Sequence, residues 1–321
     1  MRNFLNEFLT DPYVIDIPAV LRHILVRGWI APTRAPKSAA AYKKIWTKEG
    51  SPLIINTQKF TDKVRERLAQ RFDVRWAARY GRPQVSYHLK KWDIDELYVV
   101  PLYPQFALSS TQTALDQIQQ AIRDSGKKIK VKALRDFFSE AEFIHSQSRQ
   151  IAKHAELFKP DHYLLSYHGL PEHHVQKLHP QRCLKFPGCC EKVIEANRWC
   201  YRAQCMATSR DLVRALSLSA EMVTVAFQSR LGRRPWIQPY TDQILGTLIQ
   251  SGVRKLLVSC PSFVADCLET LEEVEIRLKE QFIGLGGTEL KLVPALNSED
   301  LWVEDFSQMV TRHNLHWHDL S

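Results

Sequence analysis

Two stretches of the sequence place complementary chemistry where β-strands are expected to end. One apolar run ends at His168, and another that ends at Cys260 is followed by the acidic residues Glu269 and Glu273. Because ligands of a parallel α/β sheet collect beyond the carboxyl ends of its strands, we expect these groups to face one another across a crevice. An imidazole opposite carboxylates suits the handling of a divalent cation or the removal of protons from nitrogen.

The same residues also admit a purely structural interpretation. Glu269 and Glu273 are spaced to share one face of a helix, with Glu272 and Glu275 beside them. Carboxylates this close repel one another unless a cation, a proton or a basic substrate lies among them. Alternatively, they form a solvated acidic helix start that interacts favourably with the helix dipole. A lone histidine such as His168 is also often a structural residue.

The cysteines form a second candidate site. Most of them follow the spacing C-x5-CC-x9-C-x4-C, at Cys183, Cys189, Cys190, Cys200 and Cys205. In a cytoplasmic chain these would remain thiols, so the spacing favours a metal or cluster over disulfides. It matches neither the paired CxxC of zinc modules nor the common ferredoxin run. Cys260 and Cys267 lie apart, and we expect them to be small buried hydrophobic residues.

Aromatic residues and the charge balance indicate the kind of ligand. The stretches at residues 103–106 (YPQF) and 235–240 (PWIQPY) follow predicted strand ends and could wall a pocket for a large flat molecule. The net charge of +9 suits a polyanion, an anionic membrane surface or a small molecule with carboxylates. A merely basic, solvated surface is the alternative. Nucleic-acid-binding motifs are missing from the sequence, so we expect no nucleic-acid partner.

Short β-rich runs alternate with helical periods along the chain. Strands are predicted at residues 97–102, 163–167, 223–227, 256–260 and 290–293, with a weaker one at 74–77, and helices at 111–125, 140–156, 209–215, 241–251 and 268–281. This alternation is typical of βαβ units in a parallel sheet, so the predicted class is α/β. The length of 321 residues predicts two domains, with one large domain as the alternative. No apolar run is long enough to span a bilayer or to form a signal peptide, so we expect a cytoplasmic location.

Nine strings of the sequence, in this order, resemble the ferrochelatase family, whose members insert ferrous iron into a porphyrin to make haem. They lie at residues 8–16 (FLTDPYVID), 50–53 (GSPL), 79–81 (RYG), 101–106 (PLYPQF), 166–171 (SYHGLP), 227–230 (FQSR), 235–236 (PW), 239–242 (PYTD) and 266–271 (DCLETL). The resemblance covers nearly the whole chain. It implies two similar Rossmann-like domains, with parallel sheets flanked by helices and a porphyrin cleft between them.

The implied domain division follows the predicted elements. Residues 1–156 together with 298–321 would form the N-terminal domain, and residues 157–297 the C-terminal domain. A Cys-rich insertion would occupy about residues 180–206 of the second domain.

The resemblance also implies roles for individual residues. His168 and Glu269 would be the catalytic pair that contacts the substrate iron, and Glu273, then Glu275, would continue an acidic row. Where the family commonly continues that row, this chain has Arg277. The substrate-binding wall would consist of Arg79, Tyr80, Tyr103, Phe106, Gln228, Ser229 and Trp236. The family usually has a serine after Phe106, but Ala107 stands there in this chain.

The Cys-rich stretch resembles an insertion by which some bacterial ferrochelatases carry a [2Fe–2S] cluster. We expect only one of the two adjacent cysteines to bind it. The implied ligands are Cys183, Cys190, Cys200 and Cys205, with Cys189 as the substitute.

Relatives begin with an extra strand and a Leu-Gly-Thr-Pro loop before the segment that matches residues 4–16. A misplaced start codon is the expected account, and a real truncation with weak or no activity is the alternative.

The function that the resemblance implies is insertion of ferrous iron into protoporphyrin IX to form protohaem, with possible peripheral contact with the inner membrane. Two alternatives stay open. One is a non-catalytic porphyrin- or haem-binding, redox-sensing iron–sulfur protein, and the other is a cobalt chelatase of the cobalamin path.

Overall fold

Two β-sheets organise the chain in the computed structural model, which describes residues 1–179, 183–184, 188–230, 232 and 234–320. One sheet has the strand order β1-β2-β7, and the other has the order β4-β3-β5-β6. The strands are β1 (Glu96–Val99), β2 (Lys130–Ala133), β3 (His162–His168), β4 (Val223–Gln228), β5 (Lys255–Ser259), β6 (Glu289–Leu292) and β7 (His318–Asp319).

Helices surround both sheets. The α-helices are α1 (Arg2–Leu9), α2 (Ala19–Leu25), α3 (Ala31–Ile45), α4 (Pro52–Leu68), α5 (Val85–Leu89), α6 (Thr113–Ser125), α7 (Ala141–Phe158), α8 (Glu172–Gln176), α9 (Tyr201–Ala215), α10 (Thr241–Gln250), α11 (Leu268–Thr270), α12 (Lys279–Gly284) and α13 (Asp300–Thr311). Segments of π-helix lie at Val26–Ile30, Leu108–Gln112 and Leu271–Leu278, and 3₁₀ turns at Glu195–Asn197 and Ala220–Met222. The third π-helical segment joins α11 to α12, so residues 268–284 form one helix with a widened middle.

The second sheet is wholly parallel, and β3 lies inside it. β3 pairs with β4 along its length, up to His168 opposite Gln228, and with β5 from His162 to Leu165. Helices cover both faces, which is why β3 and β5 read as nearly continuous apolar runs. Mixed α/β architecture with parallel strands confirms the predicted fold class.

Five of the six predicted strands are present within a few residues of their expected bounds. The weaker prediction at residues 74–77 is wrong, although all four residues are described. Side chains bind the backbone there: Arg65 Nε donates to the Val74 carbonyl, and His88 Nε2 contacts the Trp76 carbonyl at 2.9 Å. Strands β2 and β7 were not predicted from the sequence. Both are short, and β2 alternates lysine with small apolar residues.

The end of the chain returns to the first sheet. β7 pairs antiparallel with β2, and α13 packs on α4 and α7. Trp302 of α13 is buried among the rings of Phe60 and Phe137, which stack on it. The predicted domain boundaries stay a prediction. Residues 180–182 and 185–187 of the predicted insertion lie outside the described residues.

Over the described ranges of the chain, every helix is too short or too polar to cross a membrane.

Candidate functional site

His168 ends β3, and among the described residues one of its ring nitrogens has a hydrogen-bond partner and the other has none. Its Nδ1 lies 2.6 Å from the Gly169 carbonyl oxygen. Because a carbonyl oxygen only accepts hydrogen bonds, a neutral His168 carries its proton on Nδ1. The lone pair of Nε2 is then free to accept a proton or to bind a metal ion.

Only glycine fits directly after this histidine. A Cβ at Gly169 would lie 2.7 Å from the Gln228 carbonyl oxygen and 3.3 Å from the Trp236 ring. The Gly169 N–H donates to that same carbonyl, at 2.7 Å. The close approach brings the predicted wall residue Trp236 beside His168.

Glu269 lies in the first turn of the 268–284 helix, directly before its π-helical middle. Segments of π-helix are frequent at functional sites. Tyr42 of α3 is the nearby group that the sequence analysis missed. Burial, followed by the negative charge of Glu269, raises the pKa of its phenol. A titratable group from the first half of the chain therefore faces a carboxylate of the second half.

The Glu273 carboxylate binds Ser229, the residue that follows β4. Ser229 has a φ of 66°, which is uncommon for a residue other than glycine. Its N–H and Oγ donate to the two carboxylate oxygens of Glu273, at 2.8 and 2.5 Å. The end of β4 and the 268–284 helix are thus joined at this carboxylate.

Two basic side chains pair with carboxylates at the outer end of the acidic row. Arg277 Nε donates to the buried Glu272 carboxylate at 2.8 Å, and Arg277 Nη2 lies 3.9 Å from Glu273. Lys44 of α3 also binds Glu272, at 3.1 Å. Burial opposes these two partners, but together they lower the pKa of Glu272. Glu275 points elsewhere, since it binds Lys279 and the N–H of Leu292.

Gln228, predicted as a wall residue, is buried with an exposed fraction of 5%. Its Nε2 donates to the Glu269 carbonyl oxygen at 2.8 Å, and its Oε1 accepts from Ser166 Oγ at 2.6 Å. In this structure its side chain therefore positions the Glu269 turn.

Arg79 and Tyr80 meet at the carboxylate of Asp11, which the sequence analysis did not single out. Arg79 Nη2 and the Tyr80 hydroxyl donate to Asp11 Oδ2 at 2.5 and 2.8 Å. Arg79 Nε donates to Thr113 Oγ1, which in turn donates to Asp11. A guanidinium has five N–H groups, so Arg79 is oriented while its other N–H groups stay available to a ligand.

The remaining predicted wall residues differ in accessibility. Burial raises the pKa of Tyr103, and the Arg79 guanidinium opposes that rise, which places Tyr103 near the Arg79 group. Phe106 is only 2% exposed, and its ring centroid lies 5.1 Å from that of Trp199. Phe106 therefore packs in the core beside the Cys-rich segment.

The four predicted cluster ligands are all buried. The sulfur atoms of Cys183 and Cys200 lie 3.9 Å apart, and Cys190 is a hydrogen-bonding neighbour of Cys200. The hydrogen bond with Cys183 is the largest cause that raises the pKa of the Cys200 thiol, to about 11. Cys189, the predicted substitute, lies 3.5 Å from Cys190, sulfur to sulfur.

No group of three or more His, Cys, Asp or Glu side chains in the described part of the chain has the arrangement of a metal site. The iron–sulfur cluster therefore stays a prediction.

The end of β4 links His168 to the acidic helix: Gln228, which pairs with His168, binds the Glu269 carbonyl, and Ser229 binds the Glu273 carboxylate. Arg79, Tyr80 and Tyr103 form a second group around Asp11. The sequence analysis assigned no role to Asp11 or Tyr42, because the partners of both are far away along the chain.

The α/β fold that carries this site also occurs in a solved protein structure. A solved structure, SirB from Bacillus subtilis with Fe3+, superposes with a TM-score of 0.51 over 82% of this chain and 91% of its own. Sequence identity is only 10%, so this likeness concerns the fold alone.

Sequence relationships identify the family. The ferrochelatase family model matches residues 1–314. A ferrochelatase of Coxiella burnetii (strain Dugway 5J108-111) is 42% identical over 316 residues, which are 97% of this chain and 88% of the relative. A ferrochelatase of Legionella pneumophila (strain Lens) is 41% identical over 314 residues, which are 96% of this chain and 92% of the relative. The chain belongs to the ferrochelatase family.

Proposed function

We propose that this chain is a ferrochelatase that inserts ferrous iron into protoporphyrin IX to form protohaem. Membership of the ferrochelatase family supports this activity over the two alternatives, a non-catalytic porphyrin binder and a cobalt chelatase. The observation that carries the proposal is the orientation of His168, whose Nδ1 is bound by the Gly169 carbonyl and whose strand partner Gln228 binds the Glu269 carbonyl.

The substrate defines what the site must do. A free-base porphyrin has two pyrrole N–H protons, and both must leave as the iron binds the ring nitrogens. A neutral His168 accepts one such proton at Nε2, and Glu269 and Glu273 carry protons or iron to and from the ring. The free N–H groups of Arg79 bind a propionate carboxylate of the porphyrin, and the Trp236 ring bounds the site beside His168.

Metal insertion by purified variants tests the catalytic assignment. Protein, ferrous iron and protoporphyrin IX are mixed without oxygen, and the loss of porphyrin fluorescence is followed. We expect His168→Ala to lose at least about 100-fold in rate, in line with the effect of removing a positioned general base. The matched control, His313→Ala, changes an exposed histidine and retains the wild-type rate. Full activity of a folded His168→Ala protein would refute the assignment.

We further propose that the Cys-rich segment binds a [2Fe–2S] cluster through Cys183, Cys190, Cys200 and Cys205. Four buried thiols in one segment, with the Cys183 and Cys200 sulfurs already neighbours, fit the all-thiolate ligation of such clusters. Bound there, a cluster would supply a one-electron redox centre. The test is the iron and acid-labile sulfide content of anaerobically purified protein. Cys200→Ser should lose both, and Cys260→Ser, a buried cysteine outside the segment, should retain them.

We propose, finally, that α2 docks this protein on an anionic membrane surface. Val20, Leu21, Ile24 and Trp29 are 71, 58, 65 and 68% exposed and form an apolar patch. The exposed cations Arg27 and Lys37 follow within the next turns. Apolar side chains beside cations are typical of helices that lie in the membrane interface.

Vesicle sedimentation tests this docking. Ile24→Glu should reduce binding to vesicles that contain anionic lipid, and Leu157→Glu, at an 80% exposed leucine of α7, should not. Equal binding by both variants would contradict the proposal.

A further inference from the structure

The backbone of His168 is held by side chains on the side of the sheet where strand pairing stops. β3 pairs with β5 only as far as Leu165 opposite Ser259. Three residues later, the His168 N–H donates to Ser262 Oγ at 3.1 Å, and the His168 carbonyl accepts from the Tyr201 hydroxyl at 2.8 Å. Two hydroxyl groups therefore replace the missing strand partner.

The Tyr201 contact fixes the peptide unit that determines the orientation of the imidazole. This unit joins the His168 carbonyl to the Gly169 N–H. Its oxygen is bound by Tyr201, and its N–H by the Gln228 carbonyl. The next carbonyl, that of Gly169, accepts the hydrogen bond from His168 Nδ1. A rotation of the peptide unit would move this acceptor and turn Nε2 away from the ring nitrogens of a bound porphyrin.

Tyr201 belongs to the Cys-rich segment. It is the first residue of α9, it follows Cys200 directly, and it is only 6% exposed. Its phenol is also a hydrogen-bonding neighbour of the Cys205 thiol, one helical turn further on, and of Ser262. The phenol is therefore held between the His168 carbonyl, Ser262 and the Cys205 thiol.

We propose that Tyr201 is a positioning residue for His168, through which the Cys-rich segment holds the catalytic imidazole in place. This inference rests on the proposed function, because it assumes that His168 acts on the porphyrin. The positioning role predicts an effect on turnover and none on porphyrin binding, since the buried Tyr201 phenol binds the His168 carbonyl and not the porphyrin.

Tyr201→Phe removes the hydroxyl alone, and the chain offers a matched control. Tyr167 is buried as well, and its hydroxyl lies 2.8 Å from Ser209 Oγ of α9, the helix that Tyr201 begins. Tyr167→Phe thus removes an equivalent buried hydrogen bond one residue from His168 without freeing the His168 carbonyl. Both variants should lower the midpoint of urea denaturation to a similar extent.

Steady-state metal insertion separates a positioning role from a general loss of stability. We expect Tyr201→Phe to lower kcat by about 10- to 100-fold, the scale of misplacing a catalytic group by about 1 Å, with the KM for protoporphyrin unchanged. Tyr167→Phe should keep the wild-type kcat. Ser262→Ala, which frees the His168 N–H instead of its carbonyl, should lower kcat in the same way and serves if Tyr201→Phe does not fold.

The outcomes distinguish this inference from the proposed function. Wild-type kcat in Tyr201→Phe or Ser262→Ala, or equal losses in Tyr201→Phe and Tyr167→Phe, would overturn the positioning role. If His168→Ala inserted iron as fast as the wild type, the proposed assignment of His168 itself would be wrong.

Discussion

Asp11→Asn replaces a buried carboxylate by an amide of the same shape. The Asp11 side chain is 1% exposed, and the guanidinium that it binds belongs to Arg79, whose side chain is 18% exposed. The Asp11 carboxylate also accepts from Tyr80, Thr113 and the N–H of Tyr13. The substitution removes the negative charge from this network and leaves Arg79 with no counter-charge at that position.

Removing one partner of a buried ion pair costs about 3–5 kcal/mol, because the other charge stays buried and uncompensated. Asparagine keeps one acceptor oxygen and Arg79 is partly exposed, so we expect the lower end, about 3 kcal/mol. The control is Asp300→Asn. Asp300 is 93% exposed in its ion pair with Lys63, and such surface pairs contribute about 1 kcal/mol or less.

Urea denaturation of the two variants and the wild type measures the difference in the free energy of unfolding. Titration with protoporphyrin measures the functional effect, since a misplaced Arg79 should weaken porphyrin binding in Asp11→Asn alone. If Asp11→Asn and Asp300→Asn were equally stable, the carboxylate would not hold Arg79 as we describe. Unchanged porphyrin affinity in Asp11→Asn would show that Arg79 does not contribute to porphyrin binding.

Two further predictions concern stability. Burial lowers the pKa of His174 from 6.5 to about 4, so between these values the unfolded chain binds a proton that the folded chain does not. The free energy of unfolding should therefore fall as the pH falls through this window, by about 2 kcal/mol at pH 5. Urea denaturation at pH 7.5 and at pH 5 measures this loss, and His174→Gln should lack it. An equal loss in His174→Gln and the wild type would contradict the assignment to His174. Trp302→Ala should lower the free energy of unfolding by about 3–5 kcal/mol, because the Trp302 ring is buried between Phe60 and Phe137. A loss below about 1 kcal/mol in urea denaturation would mean that α13 repacks without the ring.

Three of the five strands that the sequence predicts correctly show their burial in their composition. β3, β4 and β5 are apolar on both faces, and Gly or Pro follows soon after β3 and β5. The short strand β7 has no such signature, since only its pairing with β2 makes it a strand. Residues 74–77 show the converse. Their composition suits a strand, but Arg65 and His88 bind their backbone before another strand can.

The residues of the candidate site also differ in how much the sequence reveals about them. His168 and Glu269 could be singled out, because His168 ends a recognisable strand, Glu269 lies at the start of a helix that follows another, and both belong to strings shared with the ferrochelatase family. The prediction of Gln228 and Phe106 as wall residues came from the same strings, but the structure buries both side chains. Local sequence patterns show where a strand ends, but they do not show which way a side chain points after the strand has ended.

The sequence by itself determined the α/β class, the carboxyl-end location of the candidate site and the family, because periodicity and local motifs encode them within a few residues. Only the tertiary structure decided how the site is held. Asp11 meets Arg79, Tyr201 meets His168, and Gln228 meets Glu269 across long stretches of chain. Such contacts depend on how the sheets and helices pack, since each joins groups whose own neighbours in sequence carry no sign of the partner.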